Sequence, residues 1–481
     1  MGFFKRTAVC LLAGAAAVAG AYATDYDVRD FGARGDGTSL DTKAIQAAVD
    51  RCTRGGGRVV LSGGDFLSGT IRLKDNVTLV VERGARLLGS TDVADYPHQR
   101  LDFRFYGDTW VYQSLIFAHN AKNIGIEGGG VIDGQGGSPA FAKTTTKKPD
   151  RYRDRPYLLW IAGCEDVRVR DVRLQNSAMW MQSYIRCDRL RIENITVFNH
   201  SNKNNDMIDI DGCRDVVIRG VIGDTDDDGI TFKSTCDRVS ENITVSDCIL
   251  SSHCNALKFG TETTAGFRNV TIANCVIRES ACKNTIYGFP EGTAGLALEV
   301  VDGGVMENVT ISNVVIDGPR VPLFIRLGNR ARKHYDGAPE PGVGSMRGVH
   351  ISNLVARSSS PVSCSVTGVP GAYVEGITLS GCRFVCAGGG SAADAAAPVE
   401  EHETMYPEST MFGNLPSWGL YVRHAKNVGL RDVVFELKGG DARPTVVLDD
   451  VHGAVLDGLR AEGRAQGVEV AEKDCSGIEE K

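Results

Sequence analysis

Residues 204–234 read NNDMIDIDGCRDVVIRGVIGDTDDDGITFKS and hold eight aspartates among Ile, Val and Phe. Aspartate is a poor strand former that favours turns. Its interleaving with apolar residues therefore needs a reason. Clustered carboxylates repel one another, and the expected result is that at least one carries a proton near neutral pH. Hydrolysis of a glycosidic bond needs that division: one carboxylic acid protonates the leaving oxygen and one carboxylate activates water. Two other readings stand beside it. Corner aspartates are ordinary in a chain of turns, and Asp215 and Asp224 are expected to be such corners. Calcium takes oxygen ligands of this kind, but the chain has no EF-hand loop and no Gly-Gly-x-Gly-x-Asp nonapeptide. The histidines lack zinc-ligand spacing. No metal and no cofactor is expected.

The elements that must position these aspartates form a repeat. From about residue 120 the chain returns to one pattern, as in CEDVRVRDVRLQNS (164–177), CDRLRIENITVFNHS (187–201), FRNVTIANCVIRES (267–280) and MENVTISNVVIDG (306–318). Each copy is a turn bearing Asn, Asp or Gly, an alternating strand, a polar corner and a second short strand. Copies recur every 23 to 27 residues, or at about 39 where an insertion intervenes. That period suits a parallel β-helix, in which each coil buries its inward face against its neighbours. The Leu frame of a leucine-rich repeat is absent, and propeller blades would be longer and antiparallel. Alternation sets the faces. Ile208 and Ile210 point in and Asp209 and Asp211 out; Ile230 and Phe232 point in and Thr231 and Lys233 out; Leu257 and Phe259 point in and Lys258 out. As consecutive coils about 4.8 Å apart, these strands bring Asp206, Asp227, Asp228 and the 253–258 segment together.

The fold class expected is all-β, a single-domain β-helix solenoid over 24–481 with an N-terminal capping helix. That helix is expected at roughly 41–53, with Asp41 as its N-cap and Ala44, Ile45, Ala48 and Val49 on one face. Residues 1–23 carry Lys5 and Arg6, an apolar run and a small-x-small cleavage site at Ala21-Tyr22-Ala23, the pattern of a signal peptide. The protein is accordingly expected to be secreted or periplasmic. No later segment is apolar enough to span a membrane. The net charge of −7 argues against nucleic acid as a partner. The expected partner is a polysaccharide or oligosaccharide, bound by a monomer. Fourteen cysteines are present, but Cys164, Cys187, Cys213 and Cys236 recur at one place in the repeat, 23, 26 and 23 residues apart. A stack of buried thiols is expected rather than a disulfide framework. Two inserts, about 319–345 and 387–420, interrupt the coils and should gather at a rim of the site, favouring a closed, exo-acting pocket. Two basic stretches, 143–156 and 326–334, run against the overall acidity.

The opening VRDFGARGDGTSLDTKAIQAAVD, then LSGTIRLKDNVTLVVERGARLLGS and GGGVIDGQG, resemble the first coils of the polygalacturonase family, pectin-degrading inverting glycoside hydrolases on a right-handed parallel β-helix. NND-MID resembles that family's Asn-Thr-Asp-Gly-(Ile/Phe)-Asp motif, and DDDGITFKS its Asp-Asp motif. The resemblance implies Asp206, Asp227 and Asp228 as catalytic residues, with Asp228 the general acid and Asp206 with Asp227 holding water. The family's Gly-His-Gly is not intact: Asn255 falls where its His is expected, and His253 lies two residues earlier. Its Arg-Ile-Lys, which grips a galacturonate carboxylate, has no counterpart, since 284–299 contains no Arg or Lys. Asn204, Lys233, His253, Asn255, Lys258, Glu262 and Arg326 are the residues expected to bind substrate instead. The implied substrate is an acidic, pectin-like chain of galacturonan or rhamnogalacturonan type. A lyase on the same fold, or a β-helix that binds carbohydrate without turnover, are the alternatives.

Overall fold

A computed structural model describes residues 24–104, 113–142, 152–464 and 466–481. The expected signal peptide and most of the first basic stretch, 143–151, lie outside the described residues. From Asp25 to Glu480 the chain winds as a parallel β-helix. Short strands stack in three parallel ladders. The first runs through Gln182–Ile185, Ile208–Asp211, Ile230–Ser234, Asn255–Thr263, Ala294–Val300 and Val321–Leu327. The second includes Asp188–Glu193, Arg214–Arg219 and Ser240–Ser246. The third includes Thr196–Asn199, Ile222–Thr225 and Ile249–Ser252. Farther along, Gly266–Arg278, Val305–Asp317 and Ser345–Arg357 each run through both the second and third ladders.

The corners explain the recurrent asparagines. Asn242, Asn269 and Asn308 each hold φ between 56° and 58°, a left-handed conformation that Asn tolerates better than most residues. Their side chains then bond along the stack: Asn242 donates to Asp215 at 3.0 Å, Asn269 to Asn242 at 3.1 Å and Asn308 to Asn269 at 3.1 Å. Inside the coil the register aligns Ile208, Ile230, Leu257, Leu296 and Leu323 as one buried column, and Ile210, Phe232, Phe259, Leu298 and Ile325 as the next. The rings of Phe232 and Phe259 lie 4.7 Å apart, tilted by 36°. Asp209, Thr231 and Lys258 form the outward column between them.

The helix Thr42–Cys52 closes the N-terminal end and buries Ile45, Ala48, Val49 and Cys52. Asp41 occupies the N-cap position, its carbonyl accepting from the Ile45 amide at 3.0 Å, but its side chain makes no capping bond. Its carboxylate accepts instead from the backbone amides of Arg34 at 2.7 Å and Gly35 at 2.9 Å, fixing the preceding turn. The thirteen cysteines of residues 24–481 are all free. Cys164, Cys187 and Cys213 belong to the central core, whereas Cys236 sits in a separate outer cluster with Phe117, Trp160 and Ile185. The turn between the paired positions Lys233 and Glu241 is longer than that between Asp211 and Arg214, so Cys236 falls within the turn and Ser240 takes the register of Cys213.

Candidate active site

Three consecutive coils bring the aspartates together. The amide of Met207 donates to the carbonyl of Asp228 at 2.9 Å, and that of Gly229 to the carbonyl of Asn255 at 2.8 Å. Gly229 is required by this stacking, since a Cβ there would lie 2.2 Å from the Ala256 carbonyl oxygen. Asn205 bridges the coils: its side-chain amide donates to the Asn199 carbonyl at 2.7 Å and its oxygen accepts from the Asp227 amide at 3.0 Å. Sequence reasoning passed over Asn205, although it adjoins Asp206.

The three carboxyls open into a cavity of about 590 Å³, and their surroundings differ. Asp228 is buried and well supplied with donors: Oδ1 accepts from the Asn255 amide at 3.2 Å and side chain at 2.8 Å, and Oδ2 meets Lys258 Nζ at 2.9 Å. Asp227 is half-buried, and its carboxyl accepts from the Asp228 amide at 3.0 Å. Burial and the adjacent Asp206 and Asp228 carboxylates push Asp227 well above the ordinary carboxylate range. Asp206 is pushed up to about 6 by burial, with Lys233 opposing the shift.

Lys233 is held by Asp209 at 3.0 Å, Asp206 at 3.4 Å and Glu262 at 3.6 Å, and lies 4.0 Å from the Trp180 ring centroid. Burial alone would favour its neutral form, but these carboxylates hold it charged, well above the usual lysine range. Lys258 is held charged in the same way by Asp228 against the effect of burial. Glu262 in turn meets Arg332 at 2.6 Å. Although half-buried, it is kept well below the usual range by Lys233, Arg332 and Arg330.

Of the residues expected to bind substrate, Asn204, Lys233, Lys258 and Glu262 line the cavity. Three do not. Asn255 is buried and spends its side-chain amide on Asp228. His253 is fully buried behind the cavity, paired with Asp226 at 2.7 Å. Arg326 is buried on the same ladder two coils beyond Lys258, and donates to the carbonyls of Gly368 at 2.8 Å and Glu401 at 2.7 Å. It therefore anchors the 387–420 insert, and burial lowers it to about 10. Asp224 is no mere corner, since it accepts from His200 at 2.9 Å and Ser280 at 2.7 Å.

Both inserts reach the cavity, as their length suggested. Arg330 and Arg332 come from the first, and Tyr406, Glu408 and Thr410 from the second. Arg330 is fixed to Asp302 at 3.0 Å and to Thr261 at 2.7 Å. Burial raises Glu408 above the ordinary range, and its Oε1 is buried with no hydrogen-bond partner. Trp180, Tyr287 and Phe289 complete an aromatic lining that no sequence motif signalled.

Fold and cavity define a class: a parallel β-helix whose outer sheet face holds carboxyls in divided protonation environments, fitted to acid–base chemistry on a bound chain. A sequence profile of glycosyl hydrolases family 28 matches residues 64–400, and the chain belongs to that family of glycoside hydrolases. A probable polygalacturonase of Vitis vinifera is 25% identical over 372 residues, which cover 73% of this chain and 72% of the relative. The exo-poly-alpha-D-galacturonosidase of Dickeya chrysanthemi is 26% identical over 309 residues, 53% of this chain and 50% of the relative. In fold the chain is similar to the hyperthermoactive exopolygalacturonase of Thermotoga maritima, with a TM-score of 0.64 and 23% identity over 86% of this chain and 91% of that one. It is also similar to the family 28 exopolygalacturonase of Yersinia enterocolitica, with a TM-score of 0.68 and 20% identity over 91% and 79%.

Proposed function

We propose that this protein is an exported, inverting glycoside hydrolase that removes sugars from the end of a pectic chain of galacturonan or rhamnogalacturonan type. The observation that carries the reading is the convergence of Asp206, Asp227 and Asp228 from stacked coils into one cavity with unequal environments. Asp228, fixed by Asn255 and Lys258, acts as a carboxylate. Asp227, raised by burial and by its two acidic neighbours, is the proton donor to the leaving oxygen. Asp206 and Asp228 together orient and deprotonate the attacking water. This exchanges the roles that the family resemblance implied for Asp227 and Asp228, because Lys258 and both amides of Asn255 reach Asp228, whereas Asp227 accepts from the Asp228 amide.

The exo mode is supported by the two inserts that wall the cavity and by the names of the relatives. Substrate class is supported by those names and by the cationic Lys258, Arg330 and Arg332 along the lining. Export is supported by the signal-peptide pattern of residues 1–23. The test is turnover of oligogalacturonides and rhamnogalacturonan oligosaccharides by wild-type protein and by Asp206→Asn, Asp227→Asn and Asp228→Asn. Each variant is expected to lose about 10²–10⁴-fold in kcat. Activities within tenfold of wild type in all three would overturn the assignment.

A further inference from the structure

Behind the aspartate trio lies a second pair of ionisable groups, His253 and Asp226, both fully shielded from solvent. His253 Nδ1 lies 2.7 Å from Asp226 Oδ1, and Nε2 lies 2.8 Å from the Cys282 carbonyl oxygen. A carbonyl only accepts, so Nε2 carries a hydrogen. The same Asp226 carboxylate accepts from the backbone amides of Ile286 at 2.6 Å and Tyr287 at 2.9 Å. The main-chain carbonyl of His253 accepts from the Phe289 amide at 2.8 Å and the Thr293 hydroxyl at 3.1 Å. Gly288 has φ +57°, and a Cβ there would stand 1.9 Å from that carbonyl oxygen. The segment thus lies directly on the His253 backbone.

Residues 279–293, between the strands ending at Arg278 and beginning at Ala294, have no ladder to hold them. Closing such an excursion costs conformational entropy, and the bonds to Asp226 and His253 offset it. The segment matters because Tyr287, Gly288 and Phe289 line the cavity. Asp226 and His253 are absent from that lining, and Asp226 adjoins Asp227 in the chain.

We propose that Asp226 and His253 are positioning residues that seat Ile286–Phe289 as a wall of the sugar site, so that substrate affinity depends on a pair that never touches substrate. This rests on the reading of the cavity as the sugar site. The buried pair fixes two consecutive amides and one carbonyl of the segment, a geometry that a single contact would leave free to pivot.

Hydrogen exchange on the full-length protein tests the seating without any substrate. In Asp226→Ala, peptides spanning 280–293 should exchange at least tenfold faster while peptides of the flanking coils stay within twofold. Asp226→Asn keeps one acceptor oxygen and should fall between, which also decides the matter if the alanine variant does not fold. With the pectic oligosaccharide that wild type turns over, Asp226→Ala should raise KM about tenfold with kcat within threefold. Tyr287→Ala should do the same, and the double variant should be no worse than Asp226→Ala alone. Unchanged exchange in both Asp226 variants, loosening spread over all coils, additive effects in the double variant, or a fall in kcat at constant KM would overturn the proposal. If wild type turns over none of the pectic oligosaccharides, the functional reading fails and the exchange result still stands by itself.

Discussion

Asp227 and Asp228 are neighbours in sequence, yet their carboxyls meet different surroundings because one faces Asn255 and Lys258 and the other does not. The account therefore predicts a bell-shaped pH dependence of kcat/KM. Asp206, raised to about 6 by burial, must be ionised to help activate water, so activity falls as pH drops through that region. Asp227 must stay protonated, so activity falls again as pH rises through its elevated value. The limbs belong to the coupled trio and not to single residues. Lys233 holds the Asp206 pKa down, and Lys233→Met should move the acidic limb upward by roughly one to three units. An unmoved limb would show that Lys233 does not act on the base. The convergence of the trio was legible in the sequence because the repeat stacks the strands that follow Asp206 and Asp228, and the family motifs singled out the three residues. Glu408 and Tyr406 were not, since they sit in an insert whose low-complexity composition carries no periodicity and whose docking depends on long-range contacts.

The strands, corners and inserts each carry one physical burden. Corners hold the chain in the left-handed region, and the Asn columns satisfy their own polar groups along the stack. Asn269→Ala should lower stability by about 1–2 kcal/mol, read as a shift of the denaturation midpoint, whereas Asn269→Gly keeps the backbone freedom and should lose less. Equal losses would assign the effect to the side-chain ladder alone. These corners could be read from the repeats, because Asn, Asp and Gly recur at a fixed offset from each apolar column. Arg326 shows where such reading stops. Its register on the first ladder matches an outward site position, but the insert folds over it and converts it into an anchor. Asp41 likewise stands where a helix cap belongs and is drawn off by two amides of the preceding turn. In both cases a tertiary partner outbids the local pattern.

At the scale of the molecule, one apolar core runs from Val28 to Leu456, and it is closed without cross-links among the described residues. Ten of the thirteen cysteines of residues 24–481 are buried, and Cys254, Cys282 and Cys475 are partly exposed. A thiol reagent should label no more than those three in the native protein and all thirteen after denaturation, and reducing agent should leave the unfolding temperature unchanged. Stable protection of an even number of thiols after denaturation would instead reveal disulfides. The continuous ladder also underlies the candidate site, because its carboxyls stand on stacked coils. The central claim is that this scaffold directs water to one face of a sugar while Asp227 protonates the other side. Proton NMR of wild-type protein acting on an α-linked galacturonide oligosaccharide tests it most directly. The account predicts that the first-formed sugar is the β anomer, released from the chain end and later mutarotating. An initial α anomer or an unsaturated uronide product would contradict it.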